Sequence, residues 1–440
     1  MKNFEKFGLR VPEILLPKKF DAKTWCAVAC DQYTQDKNYW EQAQKTAAGC
    51  PSTLNLIFPE VYLNDSGKAE RIQKIKETMA AYINGGVFAP PQRMMVYLER
   101  TTAYGRTRRG LVCALDLDSY EWKPFSTALV RATEATILER IPPRMEIRRG
   151  APLELPHIML LANDPAHIFI EEIGKKIAAR GDAPLYQGDL MQESGSVKGW
   201  AVESDGDLKA ASDALQKLFD AGTKDGSTFL FAVGDGNHSL ATAKAVWEEE
   251  KKRLQESGAS AEQIQESPVR LALVEIVNIY DQGLTFEPIH RVVFKADIPA
   301  LLNFLKEKLD GTLVQVQSES ELEQKVKASA NTFGFYWKEG GAQKIAALET
   351  KISDLAVSRL QPALDEFLKS QAGAEIDYIH GAEEIFRLGK EDGALGVLLP
   401  PVAKDSFFDT IARLGPLPRK SFSMGEASEK RFYLEARRLF

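Results

Sequence analysis

Two apolar-rich stretches, residues 94–99 and 111–117, flank the polar, glycine-containing segment TTAYGRTRRG and predict a β-hairpin. Residues 68–84 carry apolar side chains at helical spacing and stop at Gly85-Gly86, which predicts a helix with a glycine end. Asn163-Asp164-Pro165 supplies a cap and a first-turn proline for a further helix ending near Gly181. A third helix, residues 208–220, leads into the short apolar run 228–233, whose aromatic and branched residues predict a buried strand. Residues 240–253 then return to helix formers without glycine or proline.

Beyond Arg291 the alternation recurs: helix 299–309, strand 313–317, helix 322–328 and strand 333–337. The pattern predicts an α/β (mixed α+β) chain organised as a core of residues 1–295, a second, smaller α/β unit at 296–399, and a C-terminal segment at 400–440 packing back on the core. Prolines and glycines punctuate that segment from Pro400 through Ser421, which predicts a path over the surface before a last helix or strand.

Composition narrows the picture. The 440 residues are 44% hydrophobic and 27% charged, the balance of a folded globular chain. A net charge of -6, dispersed along the sequence, and aromatic residues not interleaved with basic ones argue against a nucleic-acid partner. Neither a signal-peptide pattern nor a run of about 20 apolar residues occurs, which predicts a cytoplasmic chain without a membrane partner. Cys26, Cys30, Cys50 and Cys113 form no paired CxxC arms and are read as reduced thiols.

The chemistry concentrates in Gly234-Asp235-Gly236-Asn237-His238-Ser239, placed between the predicted strand and helix. A helix start leaves backbone N–H groups without intrahelical partners beside the positive end of the helix dipole, and an anion satisfies both. Gly234 and Gly236 permit close approach, while Asn237, His238 and Ser239 add side-chain donors. Asp235 would repel a bare phosphate, so it points to a bridging divalent metal such as Mg2+ or to a base that activates a hydroxyl. The same six residues also suit a tight turn in which Asp235 or Asn237 caps the helix. The loop has neither the spacing and lysine of a Walker loop nor a GxGxxG pattern.

Two further segments carry candidate groups. Glu134 sits in VRATEATILERIPPR among Arg131, Arg140, Arg144 and Arg148, either a base with phosphate-holding arginines or a salt-bridge cluster. His290-Arg291 precedes Val292-Val293 at the start of a strand, as a charge clamp or as a structural cap. His157, His167 and His380 have no ligand spacing and are read as structural.

The run VGDGNHSLATAKA resembles the DGHHR-type strand, loop and helix segment of the large bacterial family called domain of unknown function 1015. Residues 283–293, GLTFEPIHRVV, are similar to that family's proline-x-histidine-arginine strand, and Arg131–Thr136 to its glutamate-bearing segment. The likeness extends from Cys30-Asp31-Gln32-Tyr33 to Pro418-Arg419-Lys420-Ser421. This sequence departs at the loop, where Asn237 stands for the first histidine and Ser239 for the arginine. The loop also resembles the phosphate cradle of the ParB and sulfiredoxin-like group, which includes a free serine kinase.

That resemblance implies a ParB/sulfiredoxin-like nucleotide-binding core, ATP or ADP with Mg2+, and serine or phosphoserine as the other substrate. It implies an enzyme moving a phosphoryl group between nucleotide and hydroxyl, with Gly234, Gly236, Asn237, Ser239, Arg131, His290 and Arg291 binding the nucleotide. Glu134, Asp235 and His238 are then its catalytic residues, with Asp235 also the metal ligand. A nucleotide-sensing regulatory module and a phosphoserine phosphatase are the alternatives, and a homo-oligomer is compatible with each.

Overall fold

Strands β1 (Met95–Thr102) and β2 (Thr107–Asp116) pair antiparallel around the polar turn, with Val96 opposite Val112 and Thr101 opposite Thr107. The computed structural model describes residues 2–440, and the chain is mixed α/β in two units: Met1–Leu284 with Glu426–Phe440, and Thr285–Gly425.

The first unit is built on one large mixed sheet. After β1 and β2 come β3 (Tyr120–Glu121), β4 (Val130–Ala132), β5 (Met159–Ala162), β6 (Tyr186–Asp189), β7 (Gly195–Val202), β8 (Phe231–Asp235) and β9 (Leu271–Asn278). Their spatial order is β6-β7-β1-β2-β9-β5-β8-β4-β3. Most neighbours are antiparallel, but β9 runs parallel to β5, and β8 and β3 each run parallel to β4. The central strands β5 and β9 are buried along nearly their whole length, and so read as continuous apolar runs rather than alternating ones.

Helix α1 (Lys68–Asn84) buries Ile72, Ile75 and Met79, the three- and four-residue steps of a helix face, and is capped by Gly85. Helix α2 is Ile170–Arg180, later than a cap at Asn163 predicts. Asp164 Oδ2 accepts from the N–H of Phe169 at 2.9 Å, and His167 has φ +55°, so Asp164 stabilises a turn before the helix starts. Helix α3 (Asp205–Ala221) precedes β8, and α4 (Asn237–Glu256) follows it after Gly236 alone.

The last residues of the chain run inside the first unit. Phe432, Tyr433, Leu434, Ala436 and Leu439 are buried, and Phe432 and Ala436 form bridges with Val28 and Leu15. Charged residues between them find buried partners. Glu275 of β9 pairs with Arg108 (3.3 Å) and with Arg431, Arg431 with Glu435 (2.6 Å), and Arg437 with Glu154 (2.8 Å). Gly110 on β2 makes room, since a Cβ there would lie 2.4 Å from Glu275 Oε1.

The second unit holds a six-stranded sheet of β10 (His290–Phe294), β11 (Thr312–Gln315), β12 (Thr332–Glu339), β13 (Ala342–Glu349), β14 (Glu375–Ile379) and β15 (Ala394–Leu398), in the order β11-β13-β12-β15-β10-β14. It is wider than residues 296–399 because β10 pairs with both β14 and β15 and the chain stays with this unit to Gly425. Among the described residues no helix is long and apolar enough to cross a membrane, and all four cysteines are free.

Candidate functional site

Parallel pairing of β4 with β8 creates the site. Phe231 lies opposite Val130 and Val233 opposite Ala132, so both strands end at the same edge and deliver Thr133-Glu134 beside Gly234-Asp235. A three-way clamp fixes the two ends. Thr133 donates its N–H to Asn237 Oδ1 (3.2 Å) and its hydroxyl to the carbonyl of Val233 (2.6 Å), while Asn237 Nδ2 donates to Thr133 Oγ1 (3.1 Å).

Gly234 lies at a register irregularity between Val233 and Asp235 against β5, a bulge that redirects the strand as it leaves the sheet. Gly236 has φ +80° and stands as the cap of α4 without a capping side chain. A Cβ there would come within 3.0 Å of Ile158 Cγ1 and 3.2 Å of Ile158 Cα, so the position combines a left-handed backbone with close packing. The N–H of Leu240 donates to the Gly236 carbonyl at 2.9 Å. Gly236 therefore opens α4 by its backbone alone, and the helix start faces the loop.

The donors behave differently from one another. Asn237 is committed to the clamp. His238 Nε2 accepts the N–H of Ile137 at 3.3 Å, so that nitrogen carries no proton in this arrangement. Ser239 Oγ lies 2.8 Å from His157 Nε2, and His157 Nδ1 lies 3.0 Å from Tyr433 Oη. Asp235 Oδ1 accepts the N–H of Gly236 at 3.1 Å, and its Oδ2 lies 3.3 Å from Lys430 Nζ. A lysine thus balances the carboxylate that looked discordant in the sequence.

Other candidates lie elsewhere. Arg131 is buried, donates to Ala128 carbonyl (2.9 Å) and Ser227 Oγ (2.7 Å), and stacks over Phe229 at 4.5 Å. Its guanidinium is thus turned toward the residues that lead into β8, not toward the loop that leaves it, and burial lowers its pKa. Arg144 pairs with Glu60 (2.8 Å) and Arg148 with Glu154 (2.6 Å), which leaves both tied into the fold. Glu134 is half-buried, two residues past the end of β4.

His290 and Arg291 belong to the second unit. His290 Nδ1 accepts the N–H of Leu399 at 3.0 Å, and burial, followed by the charge of Arg291, pushes its pKa down to about 4. Arg291 is fully buried, donates to Gln361 (2.7 Å) and lies over Tyr378.

Lys430 and Tyr433 carry no signal in the sequence, and His157, read there as structural, also reaches the loop. His157 sits just before β5, the antiparallel neighbour of β8, and the other two come from the returning C-terminal segment. No sequence spacing connects any of them to the loop. For a resident metal the donor set is a poor fit. Asp235 is one carboxylate already engaged on both oxygens, and no group of three or more His, Cys, Asp or Glu able to hold a metal occurs among the described residues.

Comparison with solved structures finds distant likenesses. A free serine kinase in complex with AMP aligns with 13% identity and a TM-score of 0.36, over 74% of this chain and 92% of that one. A conserved hypothetical protein from Pyrococcus furiosus gives 13% and 0.33 over 73% and 90%. SbnI from Staphylococcus aureus, truncated at its C-terminus, gives 8% and 0.35 over 71% and 83%. No curated protein matches the sequence. A family model does match, across residues 14–367. The chain therefore belongs to the DUF1015 family, described as a protein of unknown function.

Proposed function

We propose that the glycine loop binds the phosphates of ATP or ADP, and that the protein transfers a phosphoryl group between that nucleotide and the hydroxyl of a small amino acid such as serine. The observation that carries this reading is the shared end of β4 and β8, which sets the glutamate-bearing segment beside a glycine loop that opens a 20-residue helix. A phosphate needs converging N–H donors and a positive dipole end, and a hydroxyl nucleophile needs a nearby carboxylate to take its proton.

In this assignment Gly234, Gly236, Asn237, His238 and Ser239 surround the phosphates, and Asp235 orients the incoming hydroxyl. The hydroxyl oxygen attacks the terminal phosphorus, the bond to the leaving nucleotide oxygen breaks, and Glu134 takes the hydroxyl proton. Positioning and electrostatics supply the acceleration in such reactions. Arg131 serves to hold the approach to β8, and His290 and Arg291 are given no ligand contact, because each is committed within its own unit. Magnesium enters only as the companion of the nucleotide phosphates, and no step is routed through it.

The test is a product assay by phosphorus NMR with ATP and serine, or ADP and phosphoserine, beside His238→Ala. Nucleotide-dependent, stoichiometric conversion that is lost in the variant is the expected result. Nucleotide binding without conversion would support a sensing module, and phosphate release without nucleotide a phosphatase; either result rejects the proposal.

A further inference from the structure

Lys430 is nine-tenths buried, yet its ammonium lies 3.3 Å from Asp235 Oδ2, longer than the roughly 2.7–2.9 Å of a closed charge-assisted bond. Burying a lysine is costly unless its charge is well met, and this ion pair meets it incompletely. The cation sits at the loop where a phosphate would arrive. Three residues later, Tyr433 begins a buried chain of hydrogen bonds that reaches the same loop through His157 and ends on Ser239. Two side chains of one returning segment therefore converge on the glycine loop from the far end of the sequence.

We propose that Lys430 and Tyr433 are working parts of the anion site. Lys430 contacts the bound phosphate directly and shares its charge between phosphate and Asp235. Tyr433, acting through His157, is a positioning residue that keeps Ser239 as a hydrogen-bond donor to the same phosphate. This inference rests on the reading of the loop as a phosphate site, and the ligand class is the diphosphate end of a nucleotide or pyrophosphate itself.

The proton order follows from the geometry. Tyr433 Oη accepts the N–H of Cys30 at 3.2 Å, and its own proton goes to His157 Nδ1. His157 then carries its proton on Nε2 and donates it to Ser239 Oγ. A hydroxyl that already accepts from the imidazole has its own proton available for an acceptor, and a phosphate oxygen is one. With the reverse tautomer Ser239 would donate to His157 and turn a lone pair toward the phosphate, which repels it. Phosphate binding thus selects the Nε2–H form.

Titration calorimetry of the full-length protein with ADP, pyrophosphate and adenosine tests both halves, with wild type beside K430M, K430R and Y433F. K430M is expected to weaken ADP and pyrophosphate by about tenfold to a hundredfold, the range of one charge-assisted contact. K430R should restore most of that loss, and adenosine should be unaffected. Nitrogen NMR should show His157 of the ADP-bound wild type protonated on Nε2, and the order lost in Y433F. The Lys430 Nζ resonance of the wild type should move on adding pyrophosphate, a readout independent of whether any variant folds.

Unchanged ADP affinity in a folded K430M, or a still Nζ resonance, overturns the role of Lys430. A His157 that keeps its proton on Nδ1 with ADP bound overturns the relay. A wild type that binds neither ADP nor pyrophosphate rejects the phosphate reading and this inference with it. Binding without phosphoryl transfer rejects the proposed reaction and leaves the inference standing.

Discussion

Gly236→Ala should destabilise the first unit by about 2–3 kcal/mol, from two separable sources. An L side chain in the left-handed region costs about 1–2 kcal/mol, and Gly236 has φ +80°. The added Cβ also meets Ile158 Cγ1 at 3.0 Å and its Cα at 3.2 Å, and the backbone atom cannot rotate away, so about 1 kcal/mol or more of overpacking is expected on top. The fold supplies its own control. Gly258, beyond the other end of α4, has φ +77° and nothing within 4 Å of a built Cβ, so Gly258→Ala reports the backbone contribution alone. Five of the six tryptophans lie before Leu284, at positions 25, 40, 122, 200 and 247, so urea unfolding followed by tryptophan fluorescence reads mainly this unit. Gly236→Ala should lower the midpoint clearly more than Gly258→Ala, and it alone should weaken ADP binding. Equal effects of the two substitutions would refute the argument that the loop is pressed against Ile158.

Glu134→Gln should reduce turnover by at least about a hundredfold, the contribution of a general base, with ADP affinity nearly unchanged in the same calorimetric titration; full activity would remove Glu134 as the base. Burial pushes the carboxyls of Glu154 and Glu275 up, but Arg437 with Arg148, and Arg108 with Arg431, more than reverse this and leave both pKa values below the ordinary range. The stability they give is therefore complete above about pH 4.3, the ordinary glutamate value, and drains away as pH falls through the lowered folded values. Hydrogen exchange should show Glu426–Phe440 losing protection across that acid range, and protection independent of pH would contradict the pairing. His290, with a folded pKa near 4 against an ordinary 6.5, should contribute on the order of 3 kcal/mol to the second unit above pH 6.5, lost as pH falls toward 4. His290→Gln should flatten that dependence in a thermal melt of the second unit, and an unchanged slope would count against it.

Local pattern made part of this molecule legible. The hairpin, helix α1 and the strand, glycine loop and helix series could be read because each depends on neighbouring residues: periodicity, a terminal glycine, an apolar run before a loop. The loop itself was legible for the same reason, since its glycines and polar donors are contiguous. What could not be read depends on which strands become neighbours. Parallel pairing of β4 and β8 brings Thr133 to Asn237, and nothing in either segment names the other. Arg131 looked like a phosphate ligand in the sequence, but strand direction and alternation send its side chain to Ser227. The charged residues near the end of the chain, Arg431 and Arg437, are the buried partners of Glu275 and Glu154. A pattern of charges cannot announce burial when the counter-charges lie in other strands.

Amide NMR during titration with ADP tests most directly whether the glycine loop is the nucleotide-phosphate site. The account predicts that Gly236, Asn237, His238 and Ser239 show the largest shifts, in a saturable curve, and that pyrophosphate reproduces them. Saturable shifts centred elsewhere, or no binding, would contradict it and leave the six residues as a turn that caps a helix.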